Sequence, residues 1–250
     1  MVISSEDELA KLKEIGRICA TALKSMGEAL EPGITTAELD RIGRKILEDA
    51  GAQSAPEFCY QFPGATCISV NEEVAHGIPG ERVIKAGDLV NIDVSAVKDG
   101  FFSDTGASFA VPPVKPKIEK LCRDGKRALW TGLNQVRSNQ PLASIGNAIG
   151  AFAAKNRYTL ITNLASHGIG RSLHEEPSEL STWPDADETR IMTEGLVFTV
   201  EPFLSLGGTW AEDGDKDAWT LYSDPKAPTV QFEHTIVCTK NGPVILTLSD

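Results

Sequence analysis

Asp93, Asp104, His167, Glu201 and Glu233 are four carboxylates and one imidazole, each set in an apolar or glycine-rich stretch, and together they read as the ligand set of a two-metal site. The first two lie in Val90-Asn91-Ile92-Asp93-Val94 and Phe102-Ser103-Asp104-Thr105, on either side of the turn signal Lys98-Asp99-Gly100. This pattern predicts a tight hairpin with Asp93 and Asp104 at or near opposing positions on one face. Like charges facing each other at about 5 Å destabilise a sheet, and a shared cation turns that repulsion into attraction. Glu201 ends the apolar run Leu196-Val197-Phe198-Thr199-Val200, and Pro202 closes it at once. A carboxylate in so buried a position must be paired or metal-bound, because an isolated buried charge is very costly.

Strand phase agrees with this ligand set. Val90, Ile92 and Val94 fall on one face and Asn91, Asp93 and Ser95 on the other. Phe232, His234 and Ile236 share a face, opposite Gln231, Glu233 and Thr235. His76 (in Val74-Ala75-His76-Gly77-Ile78-Pro79) and His167 (in Ser166-His167-Gly168-Ile169-Gly170) have glycine neighbours that let backbone approach closely and leave the imidazole accessible. His174 follows in Leu173-His174-Glu175-Glu176-Pro177, whereas His234 reads as packing, since its parity opposes that of Glu233. Oxygen-rich ligands with one imidazole favour Mn, Fe, Co or Zn over a thiolate zinc site. Two such ions about 3.5–4 Å apart suit metal-assisted hydrolysis.

The elements that must position these groups come in two similar halves. Leu12, Ile15, Cys19, Ala22, Met26 and Leu30 have helical spacing within 6–30, and Glu31-Pro32-Gly33 stops that helix. Thr35 and Glu38 form a capping-box signature for a second helix, which Gly51 ends. Strands are expected around 66–70, 89–94 and 101–109. After the crossover Val111-Pro112-Pro113-Val114-Lys115-Pro116, helices are expected at roughly 116–137 and 142–155 and strands around 158–165, 196–201 and 230–238. Each half carries two of the carboxylates near its end, so a duplication would let the site form between halves packed face to face.

The 250 residues contain no linker, and 41% hydrophobic residues supply a substantial core, so residues 1–250 are expected to form one catalytic domain of α/β (α+β) class. A net charge of −11 without a Lys/Arg cluster argues against direct nucleic-acid binding. No apolar run reaches the ~18 residues of a membrane span, and the N-terminus lacks the features of a secretory signal. Cys19, Cys59, Cys67, Cys122 and Cys238 are scattered, with no C-x-x-C pair, which excludes a disulfide framework and leaves the cytoplasm as the expected compartment.

Five motifs, in one order, resemble those of the methionine aminopeptidases of the shorter, bacterial type: Ser69-Val70-Asn71-Glu72 with His76-Gly77-Ile78-Pro79; Asn91-Ile92-Asp93-Val94; His167-Gly168-Ile169-Gly170 with His174-Glu175-Glu176-Pro177; Thr199-Val200-Glu201-Pro202; and Glu233-His234-Thr235-Ile236-Val237. The resemblance implies the pita-bread fold, with pseudo-two-fold helix-helix-strand halves around a curved antiparallel sheet. It implies removal of N-terminal methionine from deformylated nascent chains with a small second residue, by a hydroxide held between two divalent ions. Asp104 and Glu233 would bridge the ions, Asp93 would chelate one, and His167 and Glu201 would complete the other. Glu201 would shuttle the proton, His174 would stabilise the oxyanion, and His76 would assist near the leaving nitrogen. Cys59, Phe62, Cys67, Leu173 and Trp219 would form the methionine pocket, and a monovalent cation would sit near Asn71. A monomer is implied, with at most transient ribosome contact and no zinc-finger extension before residue 6.

Ser166, Ala75, Leu173 and Phe203 depart from the usual family residues, as does the segment 178–190. These departures bear on pocket shape and second-residue tolerance, not on metal binding. The alternatives are a same-fold aminopeptidase with shifted specificity, such as one for Xaa-Pro, and a non-catalytic relative. Relatives of the latter kind lose metal ligands, and all five are present here.

Overall fold

In the computed structural model, which describes residues 1–249, the helical spacing near the N-terminus forms α1 (Glu6–Ala29). Leu12, Ile15, Cys19, Ala22 and Met26 are all buried, and Leu30 becomes the C-cap. The α2 helix (Thr36–Asp49) opens with the expected capping box: the Thr35 hydroxyl accepts from the Glu38 amide at 3.1 Å, and the Glu38 carboxylate accepts from the Thr35 amide at 2.8 Å. The first half continues with β1 (Gln53–Ser54), α3 (Ala55–Tyr60), β2 (Cys67–Val70), β3 (Glu73–Ala75), β4 (Leu89–Lys98) and β5 (Phe101–Ala110). The short α3 was not expected from the sequence. Its signal is the Ser-x-x-Glu pair Ser54/Glu57, in which the Ser54 hydroxyl caps the Glu57 amide at 3.3 Å.

The second half repeats the order, with α4 (Pro116–Leu133) and α5 (Ala143–Asn156) followed by β6 (Thr159–Leu160), β7 (Ser166–Gly168), β8 (Glu175–Leu180), β9 (Val197–Val200) and β10 (Phe203–Ser205). Then come β11 (Trp210–Asp213), β12 (Leu221–Asp224), β13 (Thr229–Gln231), β14 (His234–Thr239) and β15 (Gly242–Ile245). Two expected strands are shorter than their sequence pattern. Beyond Leu160 the chain leaves the sheet, with Thr162 and Asn163 bonding to Thr209 and Ala211 instead. The 230–238 run breaks because it changes partners: Gln231 pairs with Phe203, His234 pairs with Val200, and between them the Glu233 amide donates to Gly106 O at 2.9 Å.

Two antiparallel sheets hold the site. In the first, β1 and β2 share one edge of β4 and β5 takes the other. The second runs β15-β14-β9-β7-β8. Each is covered by its own helix pair: α1 and α2 pack with β4 in one apolar cluster, α4 and α5 with β9 and β14 in another. The two sheets meet where β5 runs beside residues 229–235, through an Ala107–Phe232 bridge and the bond from Glu233 to Gly106. The four-carboxylate face lies at that seam.

One clamp fixes the start of β2 to α2. The buried Asp40 carboxylate accepts from the Thr66 amide and hydroxyl, both at 2.8 Å, and from the Ala65 amide at 3.3 Å. Asp40→Ala leaves those donors unpaired in the core and should cost about 3 kcal/mol of unfolding free energy. Loss of the exposed cap in Thr35→Ala should cost about 1 kcal/mol. Urea denaturation of both variants checks this; equal small losses would show that water replaces Asp40.

Candidate metal centre and active site

The hairpin closes through Asp99 and Gly100, whose φ values of 51° and 77° are those of a two-residue type I′ turn. Its register makes the two aspartates diagonal rather than directly opposed: Asp93 faces Gly106, and Asp104 faces Ser95, all on one face. The Asp93 and Asp104 carboxyls still come within hydrogen-bonding reach. A side chain at position 106 would collide with the Gln231 amide, since a Cβ there would stand 2.3 Å from Gln231 Oε1. That amide is pinned, accepting from Asn91 Nδ2 at 2.8 Å and donating to Glu233 Oε2 at 2.9 Å.

Hydroxyls brace the backbone on both sides of the seam. Thr105 Oγ1 donates to the Glu233 carbonyl at 2.8 Å, and Thr235 Oγ1 accepts from the Asp104 amide at 3.0 Å. From the second sheet, Thr199 Oγ1 accepts from the His167 amide at 3.0 Å and donates to Glu201 Oε1 at 2.7 Å. Ser166 Oγ accepts from the Glu201 amide at 3.0 Å. His167 Nδ1 donates to the Gly168 carbonyl at 3.1 Å, which leaves the Nε2 lone pair free, 3.6 Å from Glu201 Oε1. Asp104, His167 and Glu233 each offer a donor atom within 4.8 Å of the other two. Asp93 joins this group through Asp104, and Glu201 joins it through His167.

The electrostatics are those of a cluster lacking its counter-charge. Burial raises all four carboxyls above their ordinary range, Asp104 to about 6, and the Asp104 charge pushes Asp93, Glu201 and Glu233 further up. Burial also lowers His167 to about 3, with His174 adding to the effect. Asp104 Oδ1 and Glu233 Oε1 are buried without any hydrogen-bond partner. Donorless carboxylate oxygens beside an imidazole with a free lone pair fit divalent cations, which supply the missing positive charge.

Asp93, Asp104, His167 and Glu201 line a cavity of about 650 Å³. His76 and His174 both line it, reachable from solvent yet desolvated enough that burial lowers each imidazole. His76 adopts φ 55°, and the adjoining Gly77 is obligatory, since a Cβ there would stand 2.2 Å from Ile68 O. Phe62, Cys67, Leu173 and Trp219 all line the cavity. Phe62 meets Trp219 edge to face at 5.3 Å, and Cys67 lies opposite Asp93 in the β2/β4 register.

Cys59 is a correction to the expected methionine pocket. It is exposed on α3 and does not line the cavity, whereas its neighbour Tyr60 does. One residue of helix turns a side chain by about 100°, enough to exchange the two. Both polar atoms of the Asn71 side chain bond within the protein, Nδ2 to Asp88 and Oδ1 to the Leu89 amide. His234 packs as expected, with Nδ1 2.8 Å from Thr247 Oγ1. Tyr60, Thr199, Gln231 and Trp183 are contributors that the sequence motifs did not single out. For Thr199 and Gln231 the signal was available, because each stands two residues from a carboxylate ligand on the same strand face. Tyr60 and Trp183 carry none.

The family pattern of metallopeptidase family M24 matches residues 10–240. A methionine aminopeptidase of Staphylococcus epidermidis is 46% identical over 251 residues, covering 100% of both chains. The protein named methionine aminopeptidase 2 of Bacillus subtilis is 45% identical over 249 residues and covers 99% of each. Among solved structures, a methionine aminopeptidase from Rickettsia prowazekii superposes with a TM-score of 0.94 at 34% identity, covering 99% of this chain and 100% of that one. The fold is thus the pita-bread fold of these enzymes, and the chain belongs to metallopeptidase family M24.

Proposed function

We propose that this chain is a methionine aminopeptidase, which hydrolyses the first peptide bond of polypeptides beginning with methionine. The observation that carries the reading is the meeting of two donorless carboxylate oxygens, Asp104 Oδ1 and Glu233 Oε1, with the His167 imidazole, where Asp104 and His167 line a cavity walled by Phe62, Cys67, Leu173 and Trp219. An unbranched thioether side chain suits an apolar wall that contains sulfur and aromatic edges. Relatives bearing this name match end to end at 45–46% identity, which supports the same activity over a shifted specificity.

Asp93, Asp104, His167, Glu201 and Glu233 would hold two divalent ions. Bound there, the ions supply Lewis-acid polarisation of the scissile carbonyl and acidification of water. Glu201 is held by Thr199 at Oε1, which leaves Oε2 to take a proton from the attacking water and pass it to the leaving nitrogen. His174 donates toward the carbonyl oxygen as it gains charge, and His76 stands by the leaving nitrogen. A monovalent cation near Asn71, which the family resemblance implies, would have to be held through main-chain oxygen, since both polar atoms of the side chain are already bonded. We further read residues 1–250 as one catalytic unit acting as a cytoplasmic monomer on deformylated nascent chains with a small second residue, with no more than transient ribosome contact. No helix among the described residues is long and apolar enough to cross a membrane.

Metal-stripped protein should release no methionine from Met-Ala-Ser, and titration with Mn or Co should restore release, with none of the first residue freed from an Xaa-Pro peptide. Asp104→Ala and Glu201→Ala should abolish turnover; full activity in either would remove that residue from the site. His174→Ala should lower kcat by about 100-fold or more while metal affinity stays near wild type, and equal loss of both would assign it a ligand's part instead. Gln231→Ala removes the only side-chain donor to Glu233 among the described residues and should weaken metal binding by about 10- to 100-fold in calorimetry.

A further inference from the structure

His174 lines the cavity beside His167, with ring centroids 4.0 Å apart. Its other aromatic neighbour is Tyr60, at 5.8 Å between centroids, and the Tyr60 hydroxyl lies 2.6 Å from His174 Nδ1. Tyr60 is 45% exposed, so water could satisfy its hydroxyl, and burial does not force the bond to histidine. The tyrosine is nevertheless firmly placed. It ends α3, whose first turn is capped by Ser54, and Ser54 Oγ also donates to Ala65 O at 2.8 Å. After it, Gln61 turns left-handed at φ 57°, and the Phe62 amide returns to Pro56 O at 3.2 Å, sending Phe62 into the cavity wall. Arg44 grips Glu57 of the same helix through a two-pronged contact, with Nη1 2.9 Å from Oε2.

The bond has a direction. A phenol is a better proton donor than a neutral imidazole N–H, and an imidazole nitrogen is a better acceptor than a phenol oxygen. The short O···N separation therefore belongs to Tyr60 Oη–H donating to the Nδ1 lone pair. The imidazole proton must then sit on Nε2. A half-turn of the ring would exchange Nδ1 for a carbon and break the bond, so the same contact fixes which edge of the ring faces the substrate.

We infer that Tyr60 is a positioning residue for the hydrolysis: by donating to Nδ1 it holds His174 as the Nε2–H tautomer in one ring orientation, so that the imidazole presents a donor rather than a lone pair to the scissile carbonyl. The inference rests on the activity proposed above for its catalytic consequence, though not for the bond itself. It also gives α3 a purpose, since the helix delivers Tyr60 to His174 and Phe62 to the pocket wall two residues apart.

The test is Tyr60→Phe, which keeps the ring and, at a half-exposed site, leaves the fold intact. Zinc-loaded protein labelled with 15N-histidine is compared with the variant, with His174 assigned by its absence in His174→Gln. Wild type should show an unprotonated, hydrogen-bonded Nδ1 and a protonated Nε2; in Tyr60→Phe the two shifts should move toward each other as the second tautomer appears. With Mn-loaded protein and Met-Ala-Ser, the variant's kcat should fall about five-fold, the equivalent of one neutral hydrogen bond, with KM and metal stoichiometry unchanged. A wild-type proton on Nδ1, or nitrogen shifts and kcat unchanged in Tyr60→Phe, would overturn the inference. If wild type releases no methionine while the nitrogen spectra behave as expected, the proposed activity fails and the Tyr60–His174 bond stands.

Discussion

Mutual repulsion among Asp93, Asp104, Glu201 and Glu233 is the constraint on which the rest of the structure depends. Folding brings four carboxyls from two sheets to one buried seam, where burial raises all four, the Asp104 charge raises the other three further, and two oxygens find no donor. Isolated buried carboxylates are tolerated only when paired, and among the described residues no Lys or Arg lines this cavity. Two divalent cations would balance the four charges, with the neutral His167 adding a lone pair and no charge. Burial thus disfavours the ionised form of these carboxyls, and divalent cations held among them would offset that penalty.

Such a site demands rigidity, which neutral groups supply. A cationic clamp would compete with the metals, so Thr105, Ser166, Thr199 and Thr235 brace the ligands' backbone or carboxylate through hydroxyls, and Gln231 does so through an amide. All five stand one or two residues from a candidate ligand, so the pleat that aims the carboxylates aims their supports as well. Thr199 is the most economical case, with a single oxygen that accepts from the His167 amide and donates to Glu201. Gly106 is its complement on the first sheet, where the missing side chain makes room for the Gln231 amide above the hairpin.

Much of this was legible in the sequence because it follows from period and turn chemistry. Asp99-Gly100 fixes the hairpin, alternation fixes the face of Asp93 and Glu233, and Thr35 with Glu38 fixes where α2 begins. What escaped depends on contacts distant in sequence. The break at Phe232–Glu233 arises because Gly106, in the other half of the chain, takes the amide of Glu233. Local pattern does not see that partner. Cys59 is a different case: the six-residue α3, whose local signal is Ser54 with Glu57, leaves it exposed while its neighbour Tyr60 lines the cavity.

The departures from the family's usual residues divide by where they point. Ala75, Leu173 and Phe203 line the cavity, and Trp183 of the divergent segment 178–190 lines it as well, so these positions bear directly on the shape that a substrate meets. Ser166 does something else. Its hydroxyl accepts the Glu201 amide, so the side chain added where glycine is usual satisfies a buried donor next to a ligand. A substitution that looked in sequence like a change to the pocket is, in the fold, a support for the backbone of Glu201. Pocket shape and ligand rigidity are thus set by different residues of this chain, and one can vary while the other is held.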